Sequence, residues 1–486
     1  MTDQKPALPA GRKNYTSALI VLTSLFFMWG FITCMNDILI PFFRKMFELD
    51  RFQSMMVQFA FFTAYFVGSL IYFIVSARKG DPISRIGYKN GIIWGLVISA
   101  FACLLFYPAA ELQIFGLFLG ALFILALGFT LLQIAANPYV ALLGPPETAS
   151  SRLNLSQAFN SLGTTIAPII GGYLVFHYFA KMGTPLINQN GIPVLTDSGE
   201  PLSALGVQLP YLIFAGVFLS LAVLFRFTHL PRFTSSSNIE KGAGALGHRH
   251  LVLGMIAIFM YVGAEVSIGS SFINYAGELL AYPEMEAKNF LAFYWGGAMI
   301  GRFLGAISLS DIQKIKKYLL MLATSILTFF LIYGVIYLES GSQFEFSRIT
   351  PFLIFLALNY IGFIIGKSLP GRTLAIFAFI VIGLLATTLV SDGAVALWTI
   401  IGIGLFNSIM WSNIFTLAIK DLEKNTAQGS SLLVMMILGG AIIPVLQGAV
   451  ADALNGYHLS YFVPIFCYIY LMYYGWKGYI PRKTLQ

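Results

Sequence analysis

Long apolar blocks separated by short polar breaks are the first feature of this sequence. Residues 18–40, 91–106 and 373–390 form three such blocks. A helix needs about 20 apolar residues to cross the roughly 30 Å hydrocarbon core of a bilayer. The blocks predict an all-α membrane protein with fourteen membrane-spanning helices. They lie near residues 17–43, 52–77, 89–108, 112–143, 152–179, 209–229, 251–277, 288–309, 316–337, 349–366, 373–390, 394–419, 430–451 and 459–480.

The composition of the chain supports this interpretation. Hydrophobic residues make up 58% of it and charged residues 10%, whereas soluble globular proteins carry roughly 25% charged residues. Such a chain has too little polar material to cover a surface that faces water, which excludes a soluble protein. The three cysteines, Cys34, Cys103 and Cys467, fall inside apolar blocks without metal-ligand spacing, and we interpret them as packing residues.

The distribution of basic residues predicts how the chain is oriented. With a cytoplasmic N-terminus, 22 of the 29 Lys and Arg residues lie in inside segments, six lie outside, and Arg302 lies in a span. This asymmetry follows the positive-inside rule. It predicts a multi-pass protein of a bacterial cytoplasmic (inner) membrane with both termini in the cytoplasm. The net charge of +8 is then explained without a nucleic-acid partner.

The two halves of the chain resemble each other weakly. A shift of 233 residues places Gly30 on Gly263. Further along, a shift of 276 places Asn137 on Asn413. Duplicated halves are common in transporters. The two shifts differ by 43 residues, which predicts an inserted pair of helices in the second half, because a single added helix would invert every later loop.

We therefore predict two six-helix bundles plus an inserted helix pair. The predicted segments are a cytoplasmic N-terminus (1–16), a first bundle (17–229), a cytoplasmic linker (230–250), a second bundle (251–480) that includes the inserted pair at about 314–367, and a cytoplasmic tail (481–486).

Two acidic residues fall inside the predicted spans. Asp37 lies deep in the first span beside Asn36, and Glu265 lies in the seventh. An ionisable side chain at bilayer depth costs at least about 2.5–3.5 kcal/mol and marks a functional site by default. We predict that both carboxylates bind and release a coupling cation, either H⁺ or Na⁺. The alternative is a purely structural acid, paired with Arg302 or capped by backbone and water.

Amide and aromatic side chains within the spans form the predicted solute site. Amides donate and accept hydrogen bonds, which suits sugar hydroxyls, and aromatic rings can stack on a sugar face. The predicted sugar-binding residues are Asn36, Gln133, Asn137, Gln157, Asn160, Asn274, Asn413, Trp29, Tyr261 and Trp295. The alternative for each is interhelical bonding or packing. Arg302, near the inner end of its span, is predicted to be a gating residue.

Nothing in the sequence points to an enzyme. The phosphate-binding pattern GxxxxGK followed by Ser or Thr does not occur, so we do not expect this chain to hydrolyse ATP. We expect no cofactor beyond the coupling ion. The expected partners are a small sugar and membrane lipid, and the expected state is a monomer.

Several of these segments together resemble the fucose–galactose–glucose:cation symporter family of the major facilitator superfamily. The motifs are SLFFMW at 24–29, NDIL at 36–39, AANP at 135–138, RLNLSQAFNS at 152–161, YVGA at 261–264, GRF at 301–303, NIFTL at 413–417 and GSS at 429–431 followed by GG at 439–440. The resemblance covers nearly all of both halves and implies two six-helix bundles around a central cavity that work by alternating access. It also implies that Asp37 couples to a proton and that Asn160 matches an asparagine of the family's fifth helix.

One departure from the family pattern concerns the coupling ion. Proton-coupled fucose permeases carry a glutamate at the position of Gln133 and a glutamine at that of Glu265. This chain is more similar to the glucose/galactose branch, some of whose members use sodium. A sodium ion held by Asp37, Glu265 and nearby amides is therefore a hypothesis beside proton coupling.

The function predicted from the sequence is import of a hexose of the glucose, galactose, mannose or fucose class by symport with Na⁺ or H⁺. One alternative is an exporter of drug-like solutes, although the amide-rich spans argue against an apolar cavity. The other is a membrane sensor that binds a sugar without transporting it.

Overall fold

The structure is a computed structural model. It describes residues 15–46, 51–179, 182–187, 193, 195, 201, 203–231, 233, 241–340 and 344–481. Within its helices, the side chains of residues 36–46, 51–56, 58, 168, 169, 172, 173, 175–177, 284 and 285 lie outside the described part.

The described chain is almost entirely helical. Its α-helices are α1 Thr16–Met46, α2 Arg51–Lys79, α3 Pro82–Ile86, α4 Tyr88–Glu111, α5 Phe115–Leu142, α6 Ala149–Tyr173, α7 Leu205–Phe227, α8 Arg249–Leu280, α9 Glu284–Ser308, α10 Lys314–Glu339, α11 Thr350–Gly366, α12 Pro370–Val390, α13 Gly393–Asn407, α14 Met410–Ala418, α15 Thr426–Met435, α16 Gly439–Ala453, α17 Tyr457–Ser460 and α18 Phe462–Tyr473. Short π-helices, Leu174–Phe179 and Tyr474–Gly478, extend α6 and α18. Among these residues, β structure is limited to three isolated bridges between positions 185 and 203.

Twelve described segments are long and apolar enough to cross a membrane. They coincide with twelve of the fourteen predicted spans, so the count of fourteen is not confirmed. The two others, near 152–179 and 459–480, fall on α6 and on α17–α18. The first half of α6 is polar, with Arg152, Asn154, Gln157 and Asn160, and α18 has 12 residues.

The same helix pairings occur twice along the chain. In the first half α1 packs on α6, α2 on α5, and α4 on both α5 and α7. In the second half α8 packs on α16, α9 on α13, and α12 on both α13 and α18. Helices α10 and α11 lie outside this repeated set and pack on α9 and α13 respectively.

Helices α10 and α11 are fixed to the second half at both of their ends. At one end, the buried Lys317 Nζ donates to the carbonyl oxygens of Ser308 and Ser310 at 3.0 and 2.8 Å and to Ser368 Oγ at 2.9 Å. At the other end, Arg348 pairs with Glu286 on α9. The Arg348 guanidinium also lies over the rings of Phe290, Phe344 and Tyr282, at 5.2, 5.7 and 5.8 Å from their centroids.

Close helix packing in this fold depends on glycine. A Cβ at Gly404 of α13 would collide with the backbone carbonyl of Tyr294 on α9. Gly383, on the exposed side of α12, has no atom within 4 Å of the same position. The two glycines therefore form a matched pair, one packed and one free.

We expect Gly404→Ala to lower stability by about 1–3 kcal/mol, because a rigid backbone atom must move to admit the methyl group. Gly383→Ala is expected to be neutral or to stabilise by up to about 1 kcal/mol, since it adds a methyl group to open space and Ala favours the helix. Thermal unfolding of both purified variants in detergent, followed by tryptophan fluorescence, measures the difference. Equal midpoints would contradict this account of the α9–α13 contact.

Candidate functional site

An ion pair between Glu265 and Arg302 is the centre of the candidate site. Arg302 Nη2 on α9 lies 3.7 Å from Glu265 Oε1 on α8, and the two side chains are 15% and 11% exposed. Charges this far from water are costly unless they are paired. The structure therefore places the acid predicted for coupling beside the arginine predicted for gating.

Arg302 also connects Glu265 to the first half of the chain. Its Nη1 donates a hydrogen bond to Ser161 Oγ on α6. Its Nε donates to the carbonyl oxygen of Ser408, between α13 and α14, at 3.2 Å. One guanidinium thus contacts α6, α8 and the α13–α14 junction, and it joins Glu265 to both halves of the chain.

Behind Glu265, a chain of buried hydrogen bonds fixes the backbone of α8. Tyr294 Oη donates to the carbonyl oxygen of Glu265 at 3.0 Å and accepts from Asn407 Nδ2 at 2.9 Å. Tyr468 Oη donates to Asn407 Oδ1 at 2.7 Å. These hydrogen bonds together join α8, α9, α13 and α18. Sequence reasoning missed Tyr294 and Tyr468; the one available signal was that Asn407, inside a span, needs polar partners.

The Tyr261 hydroxyl and the Glu265 carboxylate lie together in the buried part of the candidate site. Tyr261, one helical turn before Glu265, is 1% exposed, and its hydroxyl interacts with the Glu265 carboxylate. In the described part of the chain Glu265 Oε1 accepts no hydrogen bond of normal length, and its ion pair with Arg302 is long at 3.7 Å. Since buried polar groups are normally hydrogen-bonded, this carboxylate has capacity for one more partner.

A second cluster, formed by Trp29, Tyr65 and Gln133, lies in the first half. The Tyr65 side chain interacts with both Gln133 and Trp29. Trp29 also packs on Phe129, with ring centroids 6.3 Å apart. The cluster brings together α1, α2 and α5 and offers a ring, a hydroxyl and an amide. Tyr65 was not predicted, because a tyrosine among so many aromatic residues gives no distinct signal.

The predicted amides fall into different environments. Asn160 donates to the carbonyl oxygen of Phe26 at 2.9 Å and so ties α6 to α1. Asn413 has no exposed surface; it accepts from Asn154 and donates to the carbonyl oxygen of Pro370, both at 3.1 Å. In these positions both amides hold helices together.

Other predicted ligands occupy looser or less satisfied positions. Asn137, one turn beyond Gln133 on α5, has no exposed surface, and neither of its side-chain polar atoms has a partner among the described residues. Gln157 is 8% exposed.

Trp295 is 43% exposed and lies beside Tyr294, with ring centroids 5.0 Å apart. Asn274, nine residues after Glu265, is about 13 Å farther along the α8 axis and approaches Tyr457 Oη at 3.4 Å.

The backbone of Asn36 and Asp37 belongs to α1, but their side chains lie outside the described part. The sodium site hypothesised at Asp37 and Glu265 therefore stays a prediction. In the described part of the chain, no group of three or more His, Cys, Asp or Glu side chains could hold a metal.

The two halves of the chain meet through polar contacts at one end of the helices. Asn154 on α6 donates to Asn413 on α14, and Gln428 on α15 donates to Ser76 on α2 at 3.1 Å. The backbone N–H of Gly242 donates to the carbonyl oxygen of Ala77 at 2.8 Å. These contacts close the two halves against each other at the end that carries the linker.

Comparison with known proteins agrees with this fold over nearly the whole chain. The Major Facilitator Superfamily model matches residues 17–366. A glucose/galactose transporter of Brucella abortus is 42% identical over 96% of both chains, and the L-fucose-proton symporter of Escherichia coli is 31% identical over 94% of this chain and 92% of its own. A crystal structure of the transporter FucP in the outward conformation is 30% identical, with a TM-score of 0.72 over 95% of this chain and 98% of that one. The chain therefore belongs to the major facilitator superfamily, within the family of glucose/galactose transporters and fucose–proton symporters.

Proposed function

We propose that this chain imports a hexose by symport with a cation through alternating access, and is not an enzyme. The observation that carries the proposal is the ion pair of Glu265 with Arg302, which links a titratable group to both halves of the chain. The names of its relatives, glucose/galactose transporter and L-fucose-proton symporter, support hexose as the solute.

In this proposal the sugar is held between the cluster of Trp29, Tyr65 and Gln133 in the first half and the region of Tyr261 and Glu265 in the second half. Trp29 stacks on a face of the sugar, while Tyr65 and Gln133 bond its hydroxyls from the first half. Tyr261 and Glu265 supply polar contacts from the second half. Asn137, one turn beyond Gln133 on α5, and Gln157, on α6, are secondary ligands in this proposal.

In the coupling step, the cation competes with Arg302 for the Glu265 carboxylate. Without a cation, Arg302 neutralises the carboxylate at 3.7 Å. A proton or Na⁺ on Glu265 weakens this attraction, and Arg302 is then held only by Ser161 and the Ser408 carbonyl. Because Ser161 belongs to the first half, cation binding biases how the two halves contact each other. Asp37 is the second coupling acid in this proposal.

The proposed architecture has fourteen spanning helices, with α6 and α18 added to the twelve segments described above. The first bundle spans 17–229 and the second 251–480, joined by the linker 230–250. Helices α10 and α11 form the inserted pair, which is supported by their position outside the repeated helix pairings. The asymmetry of the basic residues supports a cytoplasmic location of both termini, and in this proposal the protein functions as a monomer.

Uptake into proteoliposomes under separate gradients tests the proposed function. Purified protein is reconstituted, and either a Na⁺ gradient at equal pH or a pH gradient without Na⁺ is imposed, with radiolabelled glucose, galactose, mannose or fucose outside. We expect at least one hexose to accumulate above its equilibrium level under one of the two gradients.

Counterflow in the same vesicles separates the two parts of the proposal. If a preloaded hexose exchanges but neither gradient drives accumulation, symport is wrong and a facilitator remains. If none of the four sugars exchanges, hexose transport itself is wrong.

A further inference from the structure

A groove on the outer surface of the second half lies apart from the candidate site. It lies between α12 and the C-terminal helix segment formed by α18 and the π-helix Tyr474–Gly478, and has a volume of about 520 Å³. Its lining includes Arg372, Ile376, Phe379, Met472, Trp476 and Tyr479.

Two glycines allow α12 and the C-terminal helix segment to come into backbone contact, and one of them, Gly475, lines the groove. A Cβ at Gly475 would lie 2.7 Å from the backbone nitrogen of Ala375, and a Cβ at Gly371 would lie 3.0 Å from the carbonyl oxygen of Gly475. The larger side chains of Ile376, Phe379 and Met472 form apolar walls beside this contact. The depression is therefore built into the helix crossing.

One end of the groove is cationic and aromatic. Arg372 lies in the first turn of α12, is exposed, and has no hydrogen-bond or ion-pair partner among the described residues. Trp476 and Tyr479 lie at the end of the opposing helix, and Lys477 Nζ lies 5.4 Å from the Trp476 ring centroid. Trp and Tyr prefer the interface between lipid tails and headgroups, and nearby Lys and Arg attract anionic lipids.

We propose that this groove binds one anionic phospholipid of the surrounding membrane. An acyl chain lies along Ile376, Phe379 and Met472, the headgroup phosphate bonds the Arg372 guanidinium, and Trp476 and Tyr479 flank the glycerol region. Charge complementarity selects the ligand: the apolar walls fit any acyl chain, whereas the unpaired guanidinium and Lys477 favour a lipid with net negative charge.

Contact quenching of Trp476 tests the proposal on the full-length protein. The protein is reconstituted in vesicles that contain equal mole fractions of brominated phosphatidylglycerol or brominated phosphatidylcholine, since bromine quenches tryptophan on contact. The difference between the parent and Trp476→Phe isolates this tryptophan among the six of the chain. We expect about fivefold stronger apparent binding of the anionic lipid, the effect of roughly one favourable charge contact.

Two charge variants test whether the preference for the anionic lipid arises from this groove. Arg372→Gln should abolish the preference, whereas Arg226→Gln, at the exposed end of α7, should retain it. Equal quenching by both lipids, no quenching of Trp476, or a preference that survives Arg372→Gln would each overturn the proposal. If Trp476→Phe fails to fold, native mass spectrometry provides the readout, with one retained phosphatidylglycerol lost in Arg372→Gln only.

Discussion

Replacing Glu265 with Gln is expected to abolish accumulation of hexose against its gradient. The variant keeps the shape of the side chain but cannot take up a proton or offer a full charge to Na⁺, so cation binding no longer competes with Arg302. We expect the initial rate of gradient-driven uptake to fall by about tenfold or more, since tenfold corresponds to only about 1.4 kcal/mol. Counterflow, which needs no coupling, should persist.

The same substitution leaves Arg302 buried without its acid. Breaking one side of a buried ion pair costs roughly 3–5 kcal/mol in soluble proteins, much of it from the charge left behind. Glu265→Gln should therefore lower the thermal unfolding midpoint. The double variant Glu265→Gln with Arg302→Gln should recover part of this loss while remaining unable to accumulate sugar.

Glu278→Gln is the matched control, because it makes the same chemical change on the same helix. Glu278 is exposed and accepts the backbone N–H of Tyr457 at 2.8 Å, a bond that Gln can also accept. Uptake by this control should match the parent. Normal accumulation by Glu265→Gln would rule out Glu265 as a coupling residue and leave the ion pair a structural role.

Replacing Asp37 with Asn is expected to have a comparably large effect. An acid at this depth costs at least about 2.5–3.5 kcal/mol when charged, so a regularly bound proton or Na⁺ is the simplest reason to keep it. Asn preserves size and hydrogen bonding but removes titration. We expect accumulation in proteoliposomes to be lost while counterflow of the same hexose persists.

Asp392→Asn serves as the control for this experiment, since Asp392 is an exposed acid in the turn between α12 and α13. Its uptake should equal that of the parent. If Asp37→Asn still concentrates hexose under the driving gradient, the coupling role assigned to the first helix is wrong.

Much of the fold could be predicted from the sequence, because each spanning helix must be apolar over its own length. Twelve spans follow from that local property alone. Helix α6 is predicted near 152–179 but is not among these twelve, because its first half is polar. Its polar residues contact partners on other helices, such as Phe26 and Arg302. Local hydropathy cannot register such partners.

The candidate site was only partly predictable, because it depends on which side chains meet across helices. Asp37, Glu265 and Arg302 could be selected by charge, and pairing of an acid with Arg302 was the structural alternative; that Glu265 makes this pair required the structure. Tyr294 and Tyr468 were missed, since a tyrosine that carries a buried hydrogen bond has the same sequence signal as one that only packs.

Asn137 and Asn413 show that sequence position alone does not predict the hydrogen-bond partners of a buried amide. The internal repeat relates them by a shift of 276 residues, and both are fully buried. Asn413 is satisfied by Asn154 and the Pro370 carbonyl, whereas neither side-chain polar atom of Asn137 has a partner in the described chain. Equivalent sequence positions thus have different hydrogen-bonding environments.

The attachment of α10 and α11 through Lys317 and Arg348 has a mechanical consequence. Because these contacts attach the two helices near both of their ends, we expect the pair to move together with α9 and α13. The part of the protein that moves in each transport cycle would then include α10 and α11, and its lipid-facing surface would be larger. A spectroscopic label on the outward side of α10 would consequently track the rocking of that whole bundle.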